Sequence, residues 1–378
     1  MSPAKGGGME IKMNNSFDSS LYEKNQKALW KEKIKKLNIC IPIAKTYNNI
    51  AMPMSIVCTR DESKGWFYSN FINIYSLYYN NDLKINYDVQ YFEDEVYYLN
   101  TERMSIVTFD LFDENEIVKI KKIIDNEKYI CLFVDEFYVE GMLFFEKSHF
   151  DHELMIYGYN DEKQVLYCSF YGDDAHYVLR EVSYDSFCNA LKSTFLNRDL
   201  PFILYSFHKD NQWLRPYYRI DPKYILLMLK KYIYATNFLF DRRHINPIKC
   251  SELNSYGINV YGDIIAYLED MARQECSIDL RQFYLLYEHK LLMGKRLQYL
   301  FEENILETQE VVEQYMEVVR MGRLILNYAI RYNVFLKVKR DVIPTKNNII
   351  SKIESIEVVE KKIINDVIIK LSKYLMEK

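Results

Sequence analysis

Residues 148–170 read SHFDHELMIYGYNDEKQVLYCSF. Two apolar, aromatic runs of strand length, Leu154–Tyr159 and Val165–Phe170, flank a polar turn from Asn160 to Gln164. The direct reading is an antiparallel hairpin. His152 stands just ahead of its first strand. A sheet that grows from a local hairpin belongs to the α+β class rather than to a chain of parallel βαβ units.

The same texture continues on both sides. Ile85–Tyr91, Ser105–Leu111, Ile130–Val134 and Phe202–Phe207 read as further strands. Turn signals occur at Asn80-Asn81-Asp82, Asn160-Asp161-Glu162 and Gly172-Asp173-Asp174. Helical stretches interrupt the strands at about 67–80, at Glu114–Ile124 with Asp113 as N-cap, and at Tyr184–Leu196. From about residue 217 the pattern becomes helical. Asp221-Pro222 forms an N-cap and N1 pair, followed by Tyr224–Phe240, Tyr261–Arg273, Asp279–Phe301, Glu307–Tyr332 and Asn348–Met376. A weakly patterned stretch over 241–258 reads as a long connection. The expected division is a tag or disordered tail over 1–15, an α+β domain over 16–215 and a helical domain over 216–378.

The last helix places Ile349, Ile353, Ile356, Ile363, Val367, Leu371 and Tyr374 on one stripe, as core or a subunit interface requires. Glu288, His289 and Lys290, with Arg281 and Arg296, read as an exposed polar face of the helix Asp279–Phe301.

An apolar fraction of 49%, with 34 Tyr and 21 Phe, excludes global disorder. The net charge of −4 carries no basic surplus for nucleic acid. Seven cysteines at irregular spacing, with no CxxC, exclude a zinc ribbon and a disulfide framework and read as reduced thiols in a cytoplasmic protein. Charge interrupts every long apolar stretch, so no membrane span is expected. No phosphate-binding glycine loop, GxSxG elbow or HExxH occurs, and neither a cofactor nor a metal is expected.

Six histidines are present, and His149 and His152 alone sit in a suggestive setting. Asp135 and Glu136 close the apolar strand Ile130–Val134. Paired carboxylates at a strand end can bind an amine or act as acid and base, and Tyr138 adds a phenol donor.

Three segments carry a resemblance: Cys131–Tyr138 (CLFVDEFY), His149–Asn160 (HFDHELMIYGYN) and Val182–Ala190 (VSYDSFCNA). Together with Val165–Phe170 they resemble the N-terminal domain family of butirosin biosynthesis protein H, over about residues 40–205. This is a papain-like group found beside peptide and amino-acid antibiotic pathways. The resemblance implies a cysteine-protease-type domain with an antiparallel sheet, followed here by a helical region. It also implies acyl transfer from a carrier-protein thioester to an amine. His152 matches the family's general base. The nucleophilic cysteine is expected at the start of the helix that would read Gly65–Leu77, near Trp66 or Phe67, where no cysteine stands; Cys58 lies too early. The orienting acid falls near Ser169.

The expectation that follows is a natural-product biosynthesis protein of nonribosomal peptide type. It would bind an acyl- or amine-bearing intermediate, small or carried on a protein, and act by non-covalent acid/base chemistry. His152, Asp135 and Glu136 would do the chemistry, and Trp66, Tyr68, Ser69, Tyr138 and Ser169 would bind substrate. The alternative is an inactive scaffold for a peptide synthetase or carrier protein, with a homodimer formed through the C-terminal helices.

Overall fold

The computed structural model describes residues 33–89, 98–104, 115–173, 176–197, 202–208, 219–236 and 255–378. The expected tail over 1–15, the strand Ser105–Leu111, the cap Asp113, the end of the helix Tyr224–Phe240 and most of the 241–258 connection lie outside the described residues.

The chain is α+β. Among the described residues, seven antiparallel strands form the main sheet. They are β1 (Ile34–Lys36), β4 (Leu99–Met104), β5 (Tyr129–Asp135), β6 (Asp151–Asn160), β7 (Val165–Tyr171), β8 (Tyr177–Ser183) and β9 (Phe202–Phe207). Their order is β4-β9-β5-β6-β7-β8, with β1 beside the far end of β6. A smaller sheet, in the order β10-β2-β3, joins β2 (Ile74–Tyr79), β3 (Asp82–Tyr87) and β10 (Ser255–Tyr256). The expected hairpin is β6–β7. It is longer than the two apolar runs, and His152 lies inside β6 instead of ahead of it. Gly158 is required there: a Cβ on it would meet the Lys35 carbonyl oxygen at 2.5 Å, so β1 can pair only with a glycine at this point.

The helices are α1 (Asn48–Val57), α2 (Lys64–Ser69), α3 (Glu116–Asp125), α4 (Tyr184–Asn197) and α5 (Pro222–Ile233), then α6 (Val260–Arg273), α7 (Leu280–Glu302), α8 (Glu310–Lys337) and α9 (Ile343–Glu377). Caps follow local chemistry. Asp221 accepts from the Tyr224 amide at 2.9 Å, Asp279 from Arg281 at 2.9 Å, and Asn115 from Ile117 at 2.8 Å. No helix among the described residues is long and apolar enough to cross a membrane.

One expected helix is overturned, and one helix was unforeseen. The helix over 67–80 stops at Ser69, and Ile74–Tyr79 is a strand. The run IYSLYY is aromatic and half-buried, and Asn80 and Asn81 both take positive φ, the backbone of a tight hairpin turn that favours Asn. The α1 helix was not anticipated. It is buried on nearly every side and carries Pro53 in its interior, so it shows no amphipathic stripe and contains a residue that normally breaks helices.

The polar face expected on α7 is buried instead. Glu288, His289, Lys290 and Arg296 are all 5% exposed or less, and only Arg281 faces solvent. Lys290 Nζ reaches Glu360 Oε2 on α9 at 2.9 Å, the Tyr232 hydroxyl at 2.9 Å and His289 Nδ1 at 3.0 Å. Glu360 also accepts from the hydroxyls of Tyr232, Tyr261 and Tyr315. His289 Nε2 donates to the Ile72 carbonyl at 2.8 Å, and Arg296 Nε to the Tyr68 carbonyl at 2.6 Å. Each buried charge is thus supplied with partners from another element, as burial in low dielectric demands. These ties, with the pairing of β10 to β2, draw the helical half and the sheet half into one continuous core. The α9 stripe from Ile349 to Leu371 is buried within this same chain, against α5, α6 and α8. It is therefore intramolecular core.

Replacing Lys290 by Met leaves the Glu360 carboxylate buried without its cation. This should cost about 3–5 kcal/mol, read as a lower urea midpoint with an unchanged slope. An unaltered midpoint would contradict the central role of the pair.

Candidate functional site

The strand β5 is apolar up to its last residue, Asp135, and a 3-10 turn over Glu136–Tyr138 follows directly. The register sets Val134 opposite His152 and Asp135 opposite Asp151, while the Glu136 amide donates to the Phe150 carbonyl at 2.9 Å. Two adjacent carboxylates therefore leave the end of one strand beside the chain that carries both histidines. Asp135 ends the strand and Glu136 begins the 3-10 turn, and the two acids meet different partners.

Glu136 holds His152. Its Oε1 lies 2.6 Å from His152 Nδ1, and its Oε2 accepts the Phe144 amide at 3.0 Å. A carboxylate only accepts, so the Nδ1 proton is donated to Glu136, and Nε2 of the neutral ring carries the lone pair. That nitrogen looks onto the start of α1. Asn48, the first residue of α1, brings Nδ2 to 3.4 Å from His152 Nε2 and donates to Glu153 Oε2 at 3.0 Å. Glu153 Oε2 itself lies 3.6 Å from Nε2. Asn48 is buried, and its Oδ1 has no hydrogen-bond partner among the described residues. The α1 helix has neither a side-chain cap nor an acidic residue in its first turn, so the positive end of its dipole is not neutralised by its own sequence. The imidazole remains partly open to solvent, with the rings of Phe150 and, behind it, Phe144 along one side.

Asp135 holds His149. Its Oδ2 is 2.6 Å from His149 Nδ1 and accepts from Ser193 Oγ on α4 at 2.6 Å, while Oδ1 accepts the amides of Phe137 and Phe150. Burial pushes the Asp135 carboxyl up, but these hydrogen bonds outweigh it and hold the group below the usual carboxylate range. The His149 ring stacks on Phe137 with centroids 4.6 Å apart and is largely exposed.

Of the residues expected at the site, His152, Asp135 and Glu136 come together, though in different roles. Both carboxylates are buried at 2% exposure or less and are occupied by imidazoles, so neither stands free to bind an amine. Tyr138 lies beside His149, its ring centroid 6.1 Å away, and not beside His152. Ser169 is not the orienting residue. It pairs with Met155, further along β6, and its hydroxyl meets the Tyr177 hydroxyl at 2.8 Å in the core. The contacts of Trp66, Tyr68 and Ser69 also lie elsewhere. Trp66 packs on Phe71 and Tyr98, Tyr68 on Tyr299 of α7, and the Ser69 hydroxyl accepts the Asp221 amide. Tyr68 and Ser69 thereby join their helix to the helical half, through α7 and the cap of α5. Cys58 follows the C-terminal end of α1, away from Asn48.

Sequence reasoning missed Asn48 and Glu153. Glu153 follows the histidine directly and was available as a signal. Asn48 carried none, because α1 was not recognised as a helix. Among the described residues, no three His, Cys, Asp or Glu side chains gather as metal ligands would. No protein-family model matches this sequence, and no curated protein matches it significantly.

Asp135→Asn keeps the shape of the carboxylate and removes its charge. Because the folded group is held below its ordinary value of 3.8, its contribution is complete above that value and is lost as pH falls through the lower folded value. The variant should be less stable than the wild type by about 1–3 kcal/mol at neutral pH. The gap should hold down to about pH 4 and close below it, measured by urea unfolding across that range.

Proposed function

We propose that this chain is a papain-like protein of peptide-type antibiotic biosynthesis that works without a covalent enzyme intermediate. In this reading Asn48 stands where such a fold carries its nucleophilic cysteine. One observation carries the proposal: Glu136, His152 and Asn48 lie in a hydrogen-bonded line that ends at the N-terminus of a buried helix. That is the order acid, base, nucleophile position in a cysteine–histidine enzyme, with an amide in the last place. In this reading the absent cysteine would belong at residue 48, where sequence alone pointed to the Trp66–Phe67 step.

An amide cannot attack a thioester, but the remaining groups can assist an attack by the substrate's own amine. His152 Nε2 takes the proton from the amine as its nitrogen bonds to the acyl carbon, and Glu136 stabilises the imidazolium. The developing oxyanion is stabilised by the positive end of α1. When the carbon–sulfur bond breaks, His152 returns the proton to the departing thiolate, so that amine and thioester become amide and thiol. The substrate class is an acyl- or amine-bearing intermediate, small or carried on a protein. The second reading, an inactive binding partner of a peptide synthetase, draws on the way Asn48 and Glu153 already close over His152 Nε2.

Two measurements test the proposal. Asn48→Cys should install a thiolate-forming cysteine. Its iodoacetamide alkylation at about pH 6.5, followed by peptide mass spectrometry, should run about tenfold faster than that of an exposed cysteine such as Cys276, and should lose that advantage with His152→Ala. An alkylation rate of the introduced thiol that is indifferent to His152 would refute the papain-like arrangement. In the wild type, aminolysis of acyl thioesters should fall at least about a hundredfold with His152→Ala, assayed at a temperature where circular dichroism shows the variant folded, because Glu136 loses a partner and Tm falls. Equal turnover in the two proteins would favour the inactive reading.

A further inference from the structure

The molecule holds two carboxylate–imidazole pairs at the end of β5, and they differ at the ring nitrogen that is left over. In the Glu136–His152 pair that nitrogen is covered, with Asn48 Nδ2 at 3.4 Å and Glu153 Oε2 at 3.6 Å. In the Asp135–His149 pair it is open. Asp135 Oδ2 accepts the Nδ1 proton across 2.6 Å, so the neutral ring carries its lone pair on Nε2, on the side of the ring away from the carboxylate. The His149 side chain is 62% exposed, and among the described residues none hydrogen-bonds its Nε2.

The surroundings hold this open ring still. The Asp135 carboxylate also accepts from Ser193 Oγ at 2.6 Å and from the amides of Phe137 and Phe150 at 3.1 and 3.2 Å, and such a set of donors keeps it ionised. One face of the imidazole lies on Phe137, with centroids 4.6 Å apart and planes inclined by 27°, and the Tyr138 ring centroid stands 6.1 Å away. A surface histidine is thereby fixed in one tautomer and one orientation. Those are the conditions under which an imidazole serves as base or nucleophile.

We propose that His149 is the nucleophile of a second, solvent-facing acyl-transfer centre that takes activated acyl groups, aryl esters above all, with Asp135 as its positioning residue. His149 does this whether or not His152 is catalytic. Nε2 gives its lone pair to the acyl carbon, the bond from that carbon to the aryl oxygen breaks, and the aryloxide leaves with the bonding pair. The acylated ring keeps its Nδ1 proton and is cationic, and the Asp135 carboxylate faces the new charge. Water then adds to the acyl carbon, its proton goes to the aryloxide, and the carbon–nitrogen bond breaks with the pair returning to Nε2. Ester and water become carboxylic acid and phenol. An aryl ester suits the site on two grounds. An imidazole expels an aryloxide far more readily than an alkoxide, and Phe137 and Tyr138 place aromatic surface beside the ring.

The test uses the full-length protein and p-nitrophenyl acetate. Release of p-nitrophenolate at about pH 7 should run about tenfold faster than with the same concentration of N-acetylhistidine, and should fall about tenfold in His149→Ala. Diethyl pyrocarbonate, whose imidazole adduct survives peptide mass spectrometry, should label His149 of the wild type ahead of His152. That measurement needs no variant and decides the matter if His149→Ala folds poorly. Asp135→Asn, assayed at a temperature where circular dichroism shows it folded, should slow acylation about tenfold. Nitrogen NMR of its His149 should pass from the single Nδ1–H tautomer to a mixture, a change that looser packing alone does not produce. Ester hydrolysis that is unchanged in His149→Ala, labelling of His152 before His149, or a single tautomer that persists in Asp135→Asn would each overturn the proposal.

Discussion

A carboxylate removed from water must be given donors, and the end of β5 places two of them side by side. Asp135 and Glu136 are both almost fully buried, at 1% and 2% exposure. The arrangement around them follows from their need for partners. Asp135 recruits an imidazole, a serine hydroxyl from α4 and two amides. Glu136 recruits the other imidazole with one oxygen and the Phe144 amide with the other. One short segment thereby sets the orientation of His149 and His152 and closes the aromatic loop between them. The passage from β5 into the 3-10 turn separates the two acids, and each histidine has a different neighbourhood, α4 for one and α1 for the other.

The same demand organises the helical half. Glu288, His289 and Lys290 are consecutive, and on a helix consecutive side chains leave in widely different directions. One reaches the segment before α1, one the carbonyl of Ile72 and one the carboxylate of Glu360. A single stretch of α7 thus ties down the entry to the candidate site, the connection between α2 and β2, and the last helix. Because these charges are paired inside the chain, they cannot act as a solvated face, and the apolar stripe of α9 packs into the same core.

Local signals reported what is local. The β6–β7 hairpin, the strands around Ile130–Val134 and Phe202–Phe207, the helices from Tyr184 and Asp279, and the cap at Asp221 were all legible, since each depends on residues a few positions apart. The failures share a cause. Ile74–Tyr79 alternates poorly, and its apolar residues suit either period, so the Asn80-Asn81 turn outweighed the helical reading only once β3 was there to pair with it. The α1 helix is buried all round and so lacks the one-sided periodicity by which helices are read. Charges on α7 were read as exposed because burial of Lys or Glu is rare unless a partner exists, and the partner, Glu360, lies 70 positions away in sequence.

The candidate site divides along the same line. By itself the sequence determined that two histidines stand within three residues of each other near a strand, that an acidic pair closes a neighbouring apolar strand, and that no cysteine occupies the expected helix start. Those are properties of short segments. Only the tertiary structure decided which acid orients which imidazole, that Asn48 is the residue His152 faces, and that Glu288 holds the approach to it. Each of these contacts joins elements between fourteen and more than two hundred residues apart. Their pairing is set by strand register and by the cost of leaving a buried charge without a partner, neither of which is written in any local pattern.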